Sequence, residues 1–257
     1  MLKTALTALG LLAALAPVRE FTAGPPAVGF DADEVLARTY AAYKALNSYA
    51  DSGTVVDDNG GFQDEFTFRT LQTRAPRNFM LDFRYAGSVY DNGFKLPGGE
   101  RIMLWMQAGN LQTWYSKTLE HQTYPEDGGR QVEAFKAASY STRSVSILVP
   151  SLIYTKANLA SVIQATEEAT AAGTETIGGR RCLKVMGIER WRYPSGQVTG
   201  VRPVTIWIDE ETFLIRKLFE DTPKGSPRGS VSTRTFTFEP TVNPPLETSS
   251  FSFTVPE

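Results

Sequence analysis

From Tyr49 to Val255 the chain alternates apolar and polar positions with period two, run after run, and the runs are separated by short turn-forming clusters. Phe79, Leu81, Phe83 and Tyr85 alternate with Met80, Asp82 and Arg84, the signature of a strand with one face on a core. Phe66 and Phe68 share one side of a run over 62–72, which the Asp58-Asn59-Gly60-Gly61 turn joins to a strand at 53–57. Around Ile102-Met103-Leu104-Trp105-Met106 the alternation fails and both faces turn apolar. Gly109-Asn110 then reverses the chain into 111–116, with Trp114 and Tyr115. Further strands are predicted at 161–176, 180–190, 203–209, 213–220, 230–239 and 251–255, with turn residues between them, giving about ten in all. The segment Glu120-His121-Gln122-Thr123-Tyr124 reads as a loop.

Two stretches change period. Asp31 with Glu34 makes an acidic capping box, and Val35, Leu36, Tyr40, Tyr43 and Leu46 follow at helical spacing, so a helix is expected over 32–47. A helical interlude is expected over 131–154. Val132, Phe135 and Ala138 suit one short helix, and Val145, Ile147, Leu148, Leu152 and Ile153 form an apolar segment that Pro150 should break or kink. Strands adjacent in sequence favour an antiparallel meander curled around helices over a parallel sheet. Nothing between residues 118 and 170 looks like a linker, so 31–257 is read as a single domain.

The N-terminus has the form of an address label. Lys3 precedes an uncharged run at 5–16, the length of a secretory h-region and too short to span a bilayer. Residues 1–23 are read as a signal peptide and 24–30 as a linker, which predicts export to the periplasm as a soluble protein. The remaining composition mainly excludes. A net charge of -2, with Lys and Arg scattered among acids, argues against a nucleic-acid partner. Cys182, the only cysteine, sits in a strand-like alternation and reads as a buried free thiol. His121, the only histidine, lacks a companion for a metal site, so no metal and no cofactor are expected. The carboxylate groups at Glu167-Glu168 and Asp209-Glu210-Glu211 carry no catalytic motif, and no Gly-x-Ser-x-Gly elbow or phosphate-binding glycine loop occurs. The chain is therefore read as a non-enzyme; a hydrolase using acidic residues is the weakest of the readings.

Several ordered features together resemble the LolA-like periplasmic lipoprotein-carrier superfamily, including its outer-membrane-lipoprotein-sorting relatives. They are the exported leader, the amphipathic helix, a Gly-x-Val strand at Gly53, and Arg74-x-Pro76 followed by Phe79. To these add the two-sided pair with Trp105 and Trp114, the apolar helical stretch, Gly178-Gly179-x-x-Cys182, Ile206-Trp207-Ile208-Asp209 with Phe213-Leu214-Ile215-Arg216-Lys217, and a closing Phe251-Ser252-Phe253-Thr254-Val255-Pro256. The resemblance covers most of the mature chain. It implies a mainly β fold, a single curved antiparallel sheet or half-barrel with a helical lid, that carries or senses lipid or lipoprotein acyl chains. It also implies a lid-latching arginine at Arg74, with Arg69 and Arg77 as rivals, because this chain has an extra residue between Arg74 and Pro76 and longer loops at 91–100 and 190–202.

The side chains expected on an apolar concave face are Phe66, Phe68, Phe79, Leu81, Phe83, Leu104, Trp105, Met106, Trp114, Ile206, Trp207, Ile208 and Phe236, with Ile147, Leu148, Leu152 and Ile153 from the lid. An acyl carrier needs such area, since burying one CH₂ is worth ~0.8 kcal/mol. The expected partners are acyl chains and a membrane-protein donor or acceptor. The alternative is a lipoprotein or envelope-stress sensor that docks on a membrane partner.

Overall fold

A computed structural model describes residues 29–107, 109–126, 129–153, 161–192, 197–221 and 233–256. The predicted leader and most of the linker lie outside the described residues. Asp31 starts the first helix, α1 (Ala32–Ala45), where its carboxylate accepts from the backbone N–H of Asp33 at 2.9 Å and of Glu34 at 3.3 Å. Val35, Leu36, Thr39 and Tyr43 form its buried stripe.

Six strands follow in hairpin succession with one short addition: β1 (Ser48–Asp58), β2 (Phe62–Thr73), β3 (Asn78–Tyr90), β4 (Lys95–Pro97), β5 (Arg101–Gln107), β6 (Asn110–Tyr115) and β7 (Glu120–Tyr124). Helices α2 (Gly129–Ser141), α3 (Val145–Ile153) and α4 (Val162–Ala165) come next. The chain then returns to strands with β8 (Thr166–Ile177), β9 (Arg180–Arg192), β10 (Val198–Asp209), β11 (Ile215–Asp221), β12 (Thr233–Phe238) and β13 (Thr241–Val242). All pair antiparallel in one sheet, ordered β7-β6-β5-β3-β2-β1-β12-β11-β10-β9-β8, with β4 on β3 and β13 on β1. The two end strands, β7 and β8, do not pair with each other, so the sheet is an open half-barrel, as the resemblance implies.

Each meander is local; one seam joins them. Strand β1 pairs with β12 in the register Gly53↔Phe238 to Asp58↔Thr233. Gly53 permits that seam, because a Cβ there would collide with the Thr237 carbonyl oxygen and with the Phe68 ring that lies over it.

The helices cover one face. A continuous core joins Val35, Leu36 and Tyr43 of α1, Phe135 and Ala138 of α2, Leu148, Val149 and Leu152 of α3 and Val162 of α4 to the sheet's inner side chains. A second, smaller core lies on the outer face. There Leu71, Met80, Met103, Trp105 and Trp114 pack under Phe251, with Leu246, Phe253 and Val255 alongside.

The structure departs from the sequence expectations at several elements. Residues 251–255, expected as a strand, are a 3-10 turn at Thr248–Phe251 followed by non-strand chain laid across the outer face. Ser161 caps the short α4 through a bond from the Gln164 N–H, so β8 begins five residues later than expected. Residues 120–124 form an edge strand, with polar side chains because it borders solvent. Pro150 lies inside α3 without ending it; the apolar packing of this short helix outweighs the lost backbone bond.

Candidate functional site

The inner face is built in rows by strand register. Val185, Ile206, Leu218, Phe236, Val55 and Phe66 line up across six strands from β9 to β2. Phe68, Phe83 and Ile102 form a second row, and Phe79, Met106 and Leu111 a third. Phe66 stacks on Phe83 with ring centroids 5.3 Å apart, and Phe79 meets Phe135 of α2 edge-on at 5.2 Å. All of these inner side chains are buried.

Of the side chains expected on the concave face, Phe66, Phe68, Phe79, Leu81, Phe83, Leu104, Met106, Ile206, Ile208 and Phe236 lie in this inner core with Leu148, Leu152 and Ile153 of α3. Ile147 is partly buried against it. Three tryptophans are placed differently. Trp105 and Trp114 belong to the outer core, where both contact Phe253, at 5.0 and 5.5 Å between ring centroids. Trp207 alternates with Ile206 and Ile208 and so points outward; its indole N–H donates to Glu175 at 2.8 Å, and Lys217 sits 4.5 Å above its ring.

The inner core is closed by α3. Eight of its nine residues are buried, and Val145, Leu148, Val149, Leu152 and Ile153 all enter the core that the sheet provides. In this conformation the inner face is covered by the protein's own helices, so a guest molecule would have to displace part of that cover.

At one end the inner face turns ionic. Asp57, whose side chain is 1% exposed, pairs with Arg234 across the β1–β12 seam at 3.1 Å, and Arg234 lies beside Glu220, which also binds Arg202. The second cation on Asp57 comes from the lid. Arg143, between α2 and α3, brings its Nε to 2.9 Å from Oδ2, close in distance but poorly aligned, and its guanidinium lies 4.8 Å from the Phe66 ring centroid. Arg143 and Ser144 both hold left-handed backbone, φ 52° and 72°, which costs non-glycine residues roughly 1–2 kcal/mol each. Sequence reading missed this cluster. Its signal was the charge pattern itself, since Asp57 and Arg234 fall in phase with inner Val55 and Phe236.

Arg74 reaches the helix that precedes β1. Its guanidinium donates to the carbonyls of Lys44 at 2.9 Å and Leu46 at 3.0 Å, capping the C-terminal end of α1. The helix it holds is therefore α1, joined to β1 through Leu46 and Asn47, rather than the α2–α3 segment. Arg69 points outward from β2, in phase with outer Leu71.

Beneath α1 lies a buried polar group. Tyr49 donates to Asp51 at 2.7 Å, the Glu239 N–H donates to the same carboxylate at 2.8 Å, and Tyr43 accepts the Ile215 N–H at 3.2 Å. Burial pushes the Asp51 carboxyl up to about 7, against the pull of those donors, and raises the Tyr43 and Tyr49 hydroxyls.

The acidic clusters are occupied by partners. Glu167 and Glu168 pair with Arg190, Glu210 with Arg181, and Glu211 with Arg180. Burial acts to raise the Asp209 carboxyl, but the Thr212 and Glu211 N–H groups and Arg216 outweigh it and hold it below the usual carboxylate range. Cys182 is a buried thiol that burial raises to about 11. His121 is exposed and stacks on Trp105 at 5.6 Å. Among the described residues no group of three or more His, Cys, Asp or Glu could hold a metal, and no helix is long and apolar enough to cross a membrane.

No protein-family description and no curated protein sequence matches the chain. Among solved structures it is similar to the Mycobacterium tuberculosis lipoprotein LppX, at 15% identity over 85% of this chain and 100% of that one, with a TM-score of 0.45. It is similar to LprF from Mycobacterium bovis at 14% identity over 88% and 96%, TM-score 0.47. A putative outer membrane lipoprotein-sorting protein domain from Vibrio parahaemolyticus matches at 8% identity over 86% and 95%, TM-score 0.38.

Proposed function

We propose that this chain is an exported periplasmic protein that binds lipid or lipoprotein acyl chains between the inner face of its sheet and its helical cover, and that it binds rather than transforms them. The observation that carries the reading is the match between α3 and the inner face. A nine-residue helix plugs an extended apolar surface with five aliphatic side chains, and an ion pair at its N-terminal junction helps hold it down.

The magnitudes favour exchange. Five buried aliphatic side chains at roughly 1.5–3 kcal/mol each are worth roughly 8–15 kcal/mol, and a sixteen-carbon chain at ~0.8 kcal/mol per CH₂ is worth about 12. A guest and the lid helix therefore compete on nearly equal terms, which makes loading reversible, as carriage between donor and acceptor requires. The filled acidic clusters support the non-catalytic part of the reading, since their carboxylates are committed to arginines.

The test is recovery of the protein from an exporting host, with native mass spectrometry and lipid extraction, and titration with a fluorescent fatty acid. Co-purifying lipid or saturable uptake supports the proposal. A chain that carries no lipid and takes up no probe overturns it.

A further inference from the structure

The inner face contains buried polar side chains that have no hydrogen-bond partner among the described residues. Strand β2 sends Phe66, Phe68, Thr70 and Gln72 inward, and Thr70 and Gln72 are 1% and 0% exposed. Neither the amide nitrogen nor the amide oxygen of Gln72 has a hydrogen-bond partner, and neither does the Thr70 hydroxyl. Native interiors rarely leave both ends of an amide unmatched, because each orphaned group forfeits its bonds to water. Two such residues, adjacent on one face, call for an explanation beyond the chain's own packing.

Their surroundings narrow it. Across the ladder Gln72 lies between Tyr49 and Phe79, and Thr70 between Asp51 and Leu81. Tyr49 and Asp51 are bonded to each other and to the Glu239 backbone, so they leave the β2 pair unserved. Gln72 offers a donor and an acceptor, and Thr70 a hydroxyl that does either. The ionisable neighbour is an acid, which opposes a carboxylate or phosphate guest.

We propose that Thr70 and Gln72 form a polar anchor inside the acyl-binding face that hydrogen-bonds the neutral ester or amide linkage of an acylated ligand. This rests on the acyl-binding reading and adds the ligand's chemistry to it. A guest lying along the inner face gains apolar contact along most of its length and meets two adjacent unpartnered polar side chains at this pair, with the Thr113 hydroxyl further along the Thr70 row and the arginines beside Asp57 at the ionic end. The pair therefore fixes how far the chain slides in and selects ester- or amide-linked acyl groups over bare hydrocarbon.

The experiment measures displacement of the uncharged reporter N-phenylnaphthylamine by methyl palmitate, heptadecane and palmitate. Wild type should prefer the ester over the alkane by about three- to tenfold, the worth of one or two neutral hydrogen bonds. In Thr70→Val/Gln72→Met that ratio should fall to about one, while the thermal midpoint rises because the orphaned groups are gone. Should the double variant not fold, Thr70→Val and Gln72→Met singly are read for the same ratio. A wild type that binds both ligands without preference, a preference that survives the substitutions, or palmitate bound more tightly than its ester overturns the anchor and leaves acyl binding standing. A wild type from which neither ligand displaces the reporter overturns both.

Discussion

Arg143 and Asp57 lie 86 residues apart in the sequence, yet their side chains meet at 2.9 Å, tying the α2–α3 junction to strand β1.

The pair is unequal, which sets what its loss does. Arg143 is one-third exposed, whereas Asp57 is buried and keeps Arg234 when Arg143 leaves. Arg143→Met should therefore cost no more than ~1 kcal/mol of stability and accelerate uptake of an apolar fluorescent probe. Asp57→Ala leaves the buried Arg234 with only the more distant Glu220 and should cost about 3 kcal/mol. Urea denaturation and stopped-flow probe uptake read the two effects separately.

Arg74→Leu should unfasten the last turn of α1. Removing its bonds to the Lys44 and Leu46 carbonyls is expected to cost about 1–2 kcal/mol in urea denaturation. Lipid retention measured on the same variant distinguishes a helix cap from a latch: a cap changes stability and leaves retention alone.

Stability should fall as pH rises through the weakly acidic range. Asp51 has an ordinary carboxyl value of 3.8 that burial raises to about 7, so between those values the folded protein holds a proton that the unfolded chain has lost. The contribution is full below pH 4 and shrinks by up to about 1.4 kcal/mol per pH unit until about pH 7. Asp82 and Asp209, held low by their arginines and backbone donors, act with the opposite sign only at more acidic pH. Asp51→Asn should flatten the profile between pH 4.5 and 7, measured by urea midpoints.

Gly53→Ala should destabilise by about 2–4 kcal/mol, because β12's backbone and the Phe68 ring both occupy the place of the new methyl. Phe251→Ala removes a fully buried ring from the outer core and should cost about 3–5 kcal/mol, with a red shift of tryptophan emission as Trp105 and Trp114 become wet. Thermal midpoints and fluorescence spectra check both.

Where polar residues marked one side of a strand, the sequence was legible. Asp82 and Arg84 identify the outer side of β3 and thereby put Phe79, Leu81 and Phe83 inward. In β5 Arg101 marks one side only at the strand's start, Ile102 to Met106 are apolar on both sides, and Trp105 and Trp114 were expected inward; what covers them is a chain segment more than a hundred residues away. Trp207 misleads for a related reason, since its lysine and glutamate neighbours come from other strands. Thr70 and Gln72 were visible as polar residues in phase with Phe66 and Phe68, but only burial and the missing partners give them meaning.

The seam between β1 and β12 has a consequence for how the molecule is made. Gly53 waits for Phe238, so the first strand to be synthesised gains its second neighbour only when nearly the whole chain is present. Until then β1 offers an unpaired edge and a greasy side, the combination that invites pairing with another copy. Assembly of this sheet is thus slowest and most hazardous at its middle, and conditions that delay the final strands should cause clumping before they cause any loss of the finished fold.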